Sequence, residues 1–385
     1  MSARHRTSLS RIAFLLLLAL GVVARAVAAT RGHNFDFDSF VIVAGITRNG
    51  GNVYAETSRY NYGPVWFTIL HVLDWISFSV AGRASLFRPL LVGLLTTTDI
   101  AIALLLRGAF GLVPALLFFL SPVTVIITGY HNQFDNLALL LALVAASLYG
   151  NDEDGRAIGR KVIGLVVLGA SLATKHIFFA FPAWLAFRER TWAGRATAVA
   201  VPGLVFVAGF APFWSRGSHG IIDNVFRYKS FDNAPFFQLF VPPVVSTFVS
   251  SRLLFVAGLV TLGFAVRRRP LLDAALLYSM AVVALSPAVA NQYLAIPSAG
   301  VAANANVPFL LFILCSTLLL LGNGDGLHLG VARTLLPAGL LNSYVPEIFL
   351  LSLGLVCVLW GSSMRDGLGR AAGAVARRLR GAHGS

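Results

Sequence analysis

Two aspartates one residue apart, Asp36 and Asp38, are the first side chains in this sequence that could do chemistry. A carboxylate can act as a general base toward a hydroxyl within hydrogen-bond distance. Alternate residues of an extended segment point to the same side, so an extended loop would turn both carboxylates toward one cavity. An Asp-x-Asp pair is equally typical of a solvated loop, and the pair alone leaves both interpretations open.

Later segments carry side chains that suit a phosphate or a sugar. Arginine and lysine bind phosphate oxygens, and neutral polar groups suit sugar hydroxyls. The candidates are His131, Gln133 and Asp135; Lys175 and His176; Arg227, Tyr228 and Lys229; and Gln292 and Tyr293. Helix capping would also explain Asp135, and snorkelling would explain Lys175. A solvated loop would explain Arg227 and Lys229, and an interfacial position would explain Tyr293.

The composition indicates that these residues belong to a protein built mainly of membrane helices. Of the 385 residues, 57% are hydrophobic and 12% are charged, whereas a soluble domain has about 25% charged residues. At about 20 apolar residues per crossing, the length allows about ten helices. The net charge of +14 would suggest nucleic acid in a soluble protein. Here the basic residues lie between apolar runs and in the C-terminal tail. This distribution is the one expected of cytoplasmic loops in a membrane protein.

The apolar runs predict an all-α polytopic membrane protein with about 10–13 transmembrane helices, a long first external loop and interfacial helices. A basic start followed by Ile12 to Val23 predicts a retained first helix, although a cleavable signal peptide has the same pattern. Val65 to Val80 is short for a span and predicts an interfacial helix. Lys175 divides Lys161 to Arg188 into two short helices, since a lysine at mid-bilayer costs about 2.5–3.5 kcal/mol. Asp99 also lies in an apolar run, where an ionised side chain is costly, so we expect it to have a structural partner.

Loop charges place the candidate residues before position 230 on one side of the membrane, with both termini in the cytoplasm. The predicted segments are the first transmembrane helix (1–29), an external catalytic loop with an interfacial helix (30–85), a core transmembrane module (86–214), an external substrate loop (215–243), a C-terminal transmembrane module (244–362) and a basic cytoplasmic tail (363–385). The two cysteines lie in apolar runs and indicate neither a disulfide framework nor a zinc site.

Several short motifs follow one another along the chain in an order that resembles that of a known protein family. The first loop contains Asp36-Phe37-Asp38-Ser39, then the segment Asn49 to Tyr54, then Arg59-Tyr60-x-x-x-Pro64 at the entry to an apolar helix. Further along come Asp99, Ser121-Pro122, His131-x-Gln133-x-Asp135, Lys175 and Gln292-Tyr293. In these motifs the sequence resembles the C-type multi-span glycosyltransferases, which use polyprenyl-phosphate sugars, and most of all the GPI mannosyltransferase I group and its bacterial relatives. The likeness covers residues 30 to 297. Asn61-Tyr62-Gly63-Pro64 and Ala295 depart from the family pattern.

The resemblance implies an integral membrane glycosyltransferase. It would move mannose, or another hexose or pentose, from polyprenyl phosphate to a lipid, glycan or protein acceptor on the external face, with inversion. Asp36 and Asp38 would be catalytic, either one being the base. Lys175, Arg227 and Lys229 would neutralise the leaving phosphate. The expected contacts to sugar or acceptor are His131, Gln133 and Asp135, and the remaining substrate-binding set is Arg59, Tyr60, Tyr62, His176, Tyr228, Gln292 and Tyr293. No cofactor is assigned, and a divalent cation stays open.

The arginine-, alanine- and leucine-rich composition is typical of bacteria, so we expect the inner membrane with a periplasmic active site; the endoplasmic reticulum is the alternative. Expected partners are the polyprenyl-linked donor, the acceptor and membrane lipid, but not nucleic acid. A polytopic transporter or lipid flippase is the rival class, and it would show inverted repeats and mid-membrane charge. A membrane acyltransferase that uses His131 or His176 is a third possibility.

Overall fold

The computed structural model describes residues 3–150, 157–228, 230, 233–327, 329 and 343–361. All regular elements in these ranges are helical, which confirms the predicted all-α class. The α-helices are α1 (Ala3–Ala29), α2 (Phe35–Arg48), α3 (Val53–Glu56), α4 (Pro64–Ala81), α5 (Phe87–Phe110), α6 (Leu112–Phe119), α7 (Pro122–Ile126), α8 (Asp135–Gly150), α9 (Ala157–Thr174), α10 (Phe181–Ala186), α11 (Trp192–Ala208), α12 (Trp214–Gly220), α13 (Pro235–Phe240), α14 (Pro243–Phe248), α15 (Ser251–Ala265), α16 (Leu271–Ala284), α17 (Ser298–Ala303), α18 (Val307–Gly322) and α19 (Val345–Leu359). Lys229, the tail 363–385 and the apolar stretch 330–341, which the sequence also predicts to be a helix, lie outside the described residues.

Several helices have the length and apolar composition of membrane spans. Among the described residues, four helical stretches meet both criteria: Ile12–Ala29, Pro64–Ala81, Ala84–Phe110 and Trp192–Phe226. Leu112–Phe119 and Pro122–His131 meet them as a pair bent by 44°. The shorter apolar helices are α8, α15, α16, α18 and α19. The chain is therefore a multi-span membrane protein.

The first loop is largely helical, which corrects the expectation of an extended segment. Asn34 has extended backbone angles, and α2 begins at the next residue with Asp36 and Asp38 in its first turn. Carboxylates are favoured there by the positive end of the helix dipole. The helix α4 extends over 18 residues, from Pro64 to a left-handed Gly82, and is longer than predicted. Its interfacial position stays a prediction.

The predicted break at Lys175 is confirmed. The helix α9 ends at Thr174, Lys175 has an extended backbone, and a short 3-10 turn over 176–178 follows. The two flanking helices are unequal, because α9 has 18 residues and α10 has six. The backbone groups of the extended residue stay paired, because the Lys175 N–H donates to the Ser171 carbonyl at 3.0 Å and its carbonyl accepts from the Ile177 N–H at 2.8 Å.

A cluster of buried aromatic rings, the aromatic core, packs the first loop against the membrane helices. Trp66 of α4 stacks on Phe134 at 3.9 Å between ring centroids, and Phe40 of α2 packs edge-on against Trp66 at 5.4 Å. All three rings are buried. Such pairs add about 0.5–1.5 kcal/mol beyond the area they bury. The core therefore fixes α2, and with it Asp36, relative to the chain just before α8.

Asp99 has the structural partner that the sequence predicts. The guanidinium of Arg25 on α1 donates to its carboxylate at 2.8 and 2.9 Å, and both side chains are fully buried. Thr128 and Asn136 also donate to Asp99, each at 2.7 Å. The carboxylate thus joins α1, α5, the end of the bent pair and α8.

Candidate functional site

A cavity of about 1090 Å³ brings together residues from both halves of the chain. Sites for small molecules usually enclose about 300–1,000 Å³, so this one has room for a large ligand. The predicted residues that line it are Asp36, Arg59, Tyr62, His131, Lys175, His176, Tyr228, Gln292 and Tyr293. Residues more than 250 positions apart in sequence therefore share one cavity wall.

The carboxylate of Asp36 lies in this cavity and is held by amide groups. Gln133 Nε2 donates to Asp36 Oδ2, and Asn34 Nδ2 donates to the same oxygen at 3.4 Å. Burial raises the pKa of Asp36 above its ordinary value of 3.8, and the positive charge of Lys175 opposes that increase. A raised pKa makes the carboxylate a better proton acceptor, and the two amides orient it.

Asp38 lies outside the cavity, so the expectation that both carboxylates face it is wrong. Its side chain is 54% exposed, and its nearest partner is His33 Nδ1 at 3.7 Å. The physical reason is the helix: at 3.6 residues per turn, side chains two positions apart point in nearly opposite directions. Only Asp36 is placed to act on a ligand here.

Lys175 and Asp135 form a buried ion pair beside the cavity. Lys175 Nζ lies 2.8 and 2.7 Å from the two carboxylate oxygens, and the side chains are 7% and 0% exposed. The ammonium also lies 5.3 Å from the ring centroid of Tyr62 and 5.8 Å from that of Tyr293. Asp135 does not line the cavity. It neutralises the lysine, so Lys175 brings less free positive charge to a ligand than the sequence suggests.

Two histidines line the cavity as hydrogen-bonding groups. Asn34 Nδ2 lies 3.0 Å from His131 Nδ1; when the amide donates, the ring proton is on Nε2. Within the described part of the chain, His131 Nε2 and His176 Nδ1 are buried and have no partner. Burial, together with the charge of Lys175, lowers the pKa of His176 to about 4. His176 is therefore neutral at physiological pH and suits a hydroxyl better than a phosphate.

Arg59 lines the cavity and is fixed from several sides. Its Nε donates to Ser39 Oγ at 3.1 Å, its Nη2 donates to the Phe35 carbonyl at 3.3 Å, and its guanidinium lies 3.8 Å from the Phe35 ring centroid. These contacts hold an arginine, whose charge is permanent, next to the first turn of α2.

Tyr60 lies in the aromatic core rather than on the cavity wall, which corrects its predicted contact with substrate. Its hydroxyl donates to the Gly63 carbonyl at 2.6 Å and accepts from the Phe67 N–H at 3.0 Å. The ring is 1% exposed. Tyr60 therefore fixes the turn that leads into α4, and its neighbour Tyr62 is the residue that reaches the cavity.

Arg227 is not a cavity residue either. Its side chain is 74% exposed and lies 3.4 Å from Asp223 one helical turn earlier. A charge so exposed is screened by water. Tyr228 does line the cavity, and Lys229 is outside the described residues. The predicted loop therefore supplies Tyr228, Ser230 and Asn233 to the cavity wall, whereas Arg227 is exposed.

The cavity contains polar residues that the sequence reasoning missed. They include Asn34, Arg252, Asp325 and Tyr344. A basic residue at the start of an apolar helix was an available signal for Arg252, which is the second residue of α15. Asn34 lies two residues before Asp36. Asp325 and Tyr344 belong to no motif that would have marked them.

The described residues contain no group of three or more His, Cys, Asp or Glu side chains placed to hold a metal ion. The immediate hydrogen-bonding partners of Asp36 are the amides of Asn34 and Gln133.

Comparison with solved structures identifies the fold. The chain is similar to ArnT from Cupriavidus metallidurans bound to undecaprenyl phosphate, with a TM-score of 0.50 at 17% identity over 93% of this chain and 78% of that one. The apo state of the same protein gives a TM-score of 0.49 at 18% identity over 92% and 77%. No family model and no curated protein sequence matches the chain. This multi-span membrane protein has an ArnT-like fold.

Proposed function

We propose that this protein is a membrane glycosyltransferase that moves a sugar from a polyprenyl phosphate to an acceptor hydroxyl. The observation that carries the proposal is the Asp36 carboxylate, oriented by two amides in a cavity that also contains cations and aromatic rings. The ArnT-like fold supports the donor class, because the similar protein was crystallised with undecaprenyl phosphate.

In the proposed reaction Asp36 accepts the proton of the acceptor hydroxyl. The freed oxygen bonds to the anomeric carbon, and the bond from that carbon to the phosphate oxygen breaks. The electron pair leaves with the polyprenyl phosphate, so the sugar is transferred with inversion. The leaving group is an anion, and fixed positive charge near it lowers the barrier.

Two arginines best fit the phosphate. Lys175 is neutralised by Asp135, so Arg59 and Arg252 supply the positive charge on the cavity wall. Arg252 has no ion pair among the described residues. It precedes Phe255 by one helical turn, and the Phe255 ring lies 5.8 Å from that of Phe179. A cation beside apolar rings matches a phosphate joined to an isoprenoid chain.

The finer assignment follows the family resemblance. The sugar would be mannose or another hexose or pentose, and the acceptor a glycan, lipid or protein. The reaction would take place on the external face of a bacterial inner membrane. His131, His176 and Tyr62 line the cavity and are suited to the sugar ring.

The test is a transfer assay on purified protein with a panel of polyprenyl-phosphate sugars and candidate acceptors. We expect one donor to be consumed by the wild type, and Asp36→Asn to lose at least about 1,000-fold in kcat, the upper part of the range for general-base catalysis. The matched control is Asp223→Asn, an acidic residue outside the cavity, which should keep wild-type rates.

Full activity in Asp36→Asn would contradict the base assignment. If the folded protein consumed no donor but moved a polyprenyl phosphate across vesicle membranes, the chain would be a flippase, and the proposed function would be wrong. The same preparations answer both questions.

A further inference from the structure

We propose that Asn291, Asp325 and Tyr344 form a subsite for a carbohydrate acceptor. This inference rests on the proposed function and specifies its acceptor as a glycan. All three residues line the cavity that contains Asp36, yet none of them takes part in the proton transfer or the phosphate contacts proposed above.

The three residues are linked by hydrogen bonds. Tyr344 Oη donates to Asn291 Oδ1 at 2.9 Å, and Asn291 Nδ2 donates to Asn323 Oδ1 at 3.3 Å. The same Asn323 oxygen accepts the Asp325 N–H at 2.9 Å, which closes a turn. Asn291 is 4% exposed. The chain after α18 and the start of α19 are thereby fixed to the short helix over 291–295.

This arrangement leaves hydrogen-bonding groups available on the cavity wall. The Asp325 carboxylate has no ion-pair partner among the described residues. The Tyr344 hydroxyl still has acceptor capacity after donating to Asn291. A carboxylate, a phenol and an amide close together can bind two or three hydroxyls of one molecule, which a sugar ring offers and a simple alcohol does not.

The position of this group relative to Asp36 indicates the acceptor. The short helix over 291–295, which begins with Asn291, packs against the turn over 127–131, which ends at His131. His131 Nδ1 lies 3.0 Å from Asn34 Nδ2, and the same amide group donates to Asp36. Of the two phosphate candidates, Arg252 lies one helical turn before Phe255 on α15, and the Phe255 ring lies 5.8 Å from that of Phe179, three residues after His176. The two polar groups therefore approach Asp36 through different neighbours.

Inverting transfer requires the acceptor site and the phosphate site to be separate. The attacking hydroxyl and the leaving phosphate occupy opposite faces of the sugar ring. If the lipid phosphate binds near Arg252, the acceptor enters from the side of His131 and Asp325. His131 Nε2 is buried on that side without a partner in the described chain. The acceptor therefore meets polyol-binding groups before it reaches the base.

The experiment uses full-length protein in lipid nanodiscs without sugar-based detergent. Binding of methyl α-mannoside and methyl α-glucoside is measured by saturation-transfer NMR, and binding of undecaprenyl phosphate is measured separately. Octanol serves as the single-hydroxyl probe. The variants are Asp325→Asn, Tyr344→Phe and their combination, with Asp223→Asn as the control outside the cavity.

We expect wild type and Asp223→Asn to bind a glycoside, and the double variant to bind it at least about tenfold more weakly, since each lost hydrogen bond weakens binding severalfold. Undecaprenyl phosphate binding should stay within about twofold, which also shows that the variant is folded. With the donor in place, Asp325→Asn alone should raise KM for a glycan acceptor and leave KM for the donor unchanged.

Equal glycoside binding in wild type and double variant, or preference for octanol, would overturn the acceptor subsite. Absence of glycoside binding with normal undecaprenyl phosphate binding would overturn it too and leave the proposed function intact. Glycoside binding that depends on Asp325, without any binding of undecaprenyl phosphate, would support a carbohydrate site and contradict the polyprenyl donor.

Discussion

Neighbouring side chains give the two central charges of the cavity different properties. Asp36 is held by the amides of Asn34 and Gln133, so its negative charge is oriented and only partly balanced. Lys175 is held by both oxygens of Asp135, and removal of either partner would leave a buried charge unpaired. Such a loss costs about 3–5 kcal/mol. Asp36 is therefore the residue whose role can be tested by substitution with little effect on folding.

Activity should fall on the acid side as Asp36 takes up a proton. Because burial raises the pKa of Asp36 above 3.8, kcat/KM should increase with pH through that higher pKa. Stability changes in the opposite direction, since a carboxylate whose pKa is raised by folding loses folding free energy as pH rises from its unfolded-state pKa through its folded-state pKa. Asp36→Asn should therefore raise the melting temperature more at pH 7 than near pH 4. A decrease in the melting temperature of equal size at pH 7 and near pH 4 would contradict a raised pKa of Asp36.

Asp38→Asn should retain activity. The side chain is exposed and lies outside the cavity, and surface substitutions usually change free energies by about 0.5 kcal/mol or less, roughly a twofold effect on kcat/KM. Steady-state kinetics measured beside Asp36→Asn would check this. A loss as severe as that of Asp36→Asn would return Asp38 to the catalytic assignment made from the sequence.

Close contacts between short elements set the shape of the cavity. The turn before α4 passes so near the end of α9 that a Cβ on Gly63 would lie 2.0 Å from the Ala173 carbonyl oxygen. Both partners of this contact are close in sequence to cavity residues. Tyr62 directly precedes Gly63, and Lys175 follows Ala173 by two residues. A glycine is required where two backbones approach this closely.

Gly63→Ala should displace this turn and reduce activity. Overpacking of a tight contact costs about 1–3 kcal/mol, and a shift of Tyr62 relative to Lys175 would add a loss of about tenfold or more in kcat/KM, because small misplacements are costly in catalysis. Gly93→Ala is the matched control, since a Cβ there meets no atom within 4 Å. Equal kinetics in the two variants would show that the contact does not position Tyr62.

Across the whole molecule, a single buried carboxylate connects helices that are distant in sequence. Asp99 binds Arg25 of α1, Thr128 near the end of the bent pair and Asn136 of α8. Asn136 follows Asp135, the partner of Lys175. The structural network therefore ends one residue away from the ion pair beside the cavity.

Asp99→Ala should destabilise the protein by about 3–5 kcal/mol, because it leaves the Arg25 charge buried without its partner. Replacement of the pair by Arg25→Met with Asp99→Leu should recover much of the loss, since apolar replacement of a buried ion pair is often neutral or stabilising. Thermal unfolding in detergent compares the three proteins. A double variant as unstable as Asp99→Ala would show that the network has a further role.

Much of the fold was predictable, because apolar composition alone requires membrane helices. The break at Lys175 and the burial of Asp99 with a partner followed from the cost of charge in lipid. The orientation of Asp38 was missed because α2 is a helix rather than an extended loop. Tyr60 was misassigned since a motif does not distinguish a residue that fixes a turn from its neighbour that lines the cavity. Asp325 and Tyr344 reach the cavity only through tertiary packing, which no local pattern shows.

The Arg25–Asp99 pair also has a consequence for the order of synthesis. Arg25 is made 74 residues before its partner. An arginine in an apolar helix costs about 2.5–3.5 kcal/mol at the helix centre on insertion scales and less toward the ends. Until α5 emerges from the ribosome, α1 therefore carries a charge that lipid and bound water must accommodate. The first helix therefore gains its buried partner only after α5 is made, so biogenesis couples the insertion of α1 to that of α5.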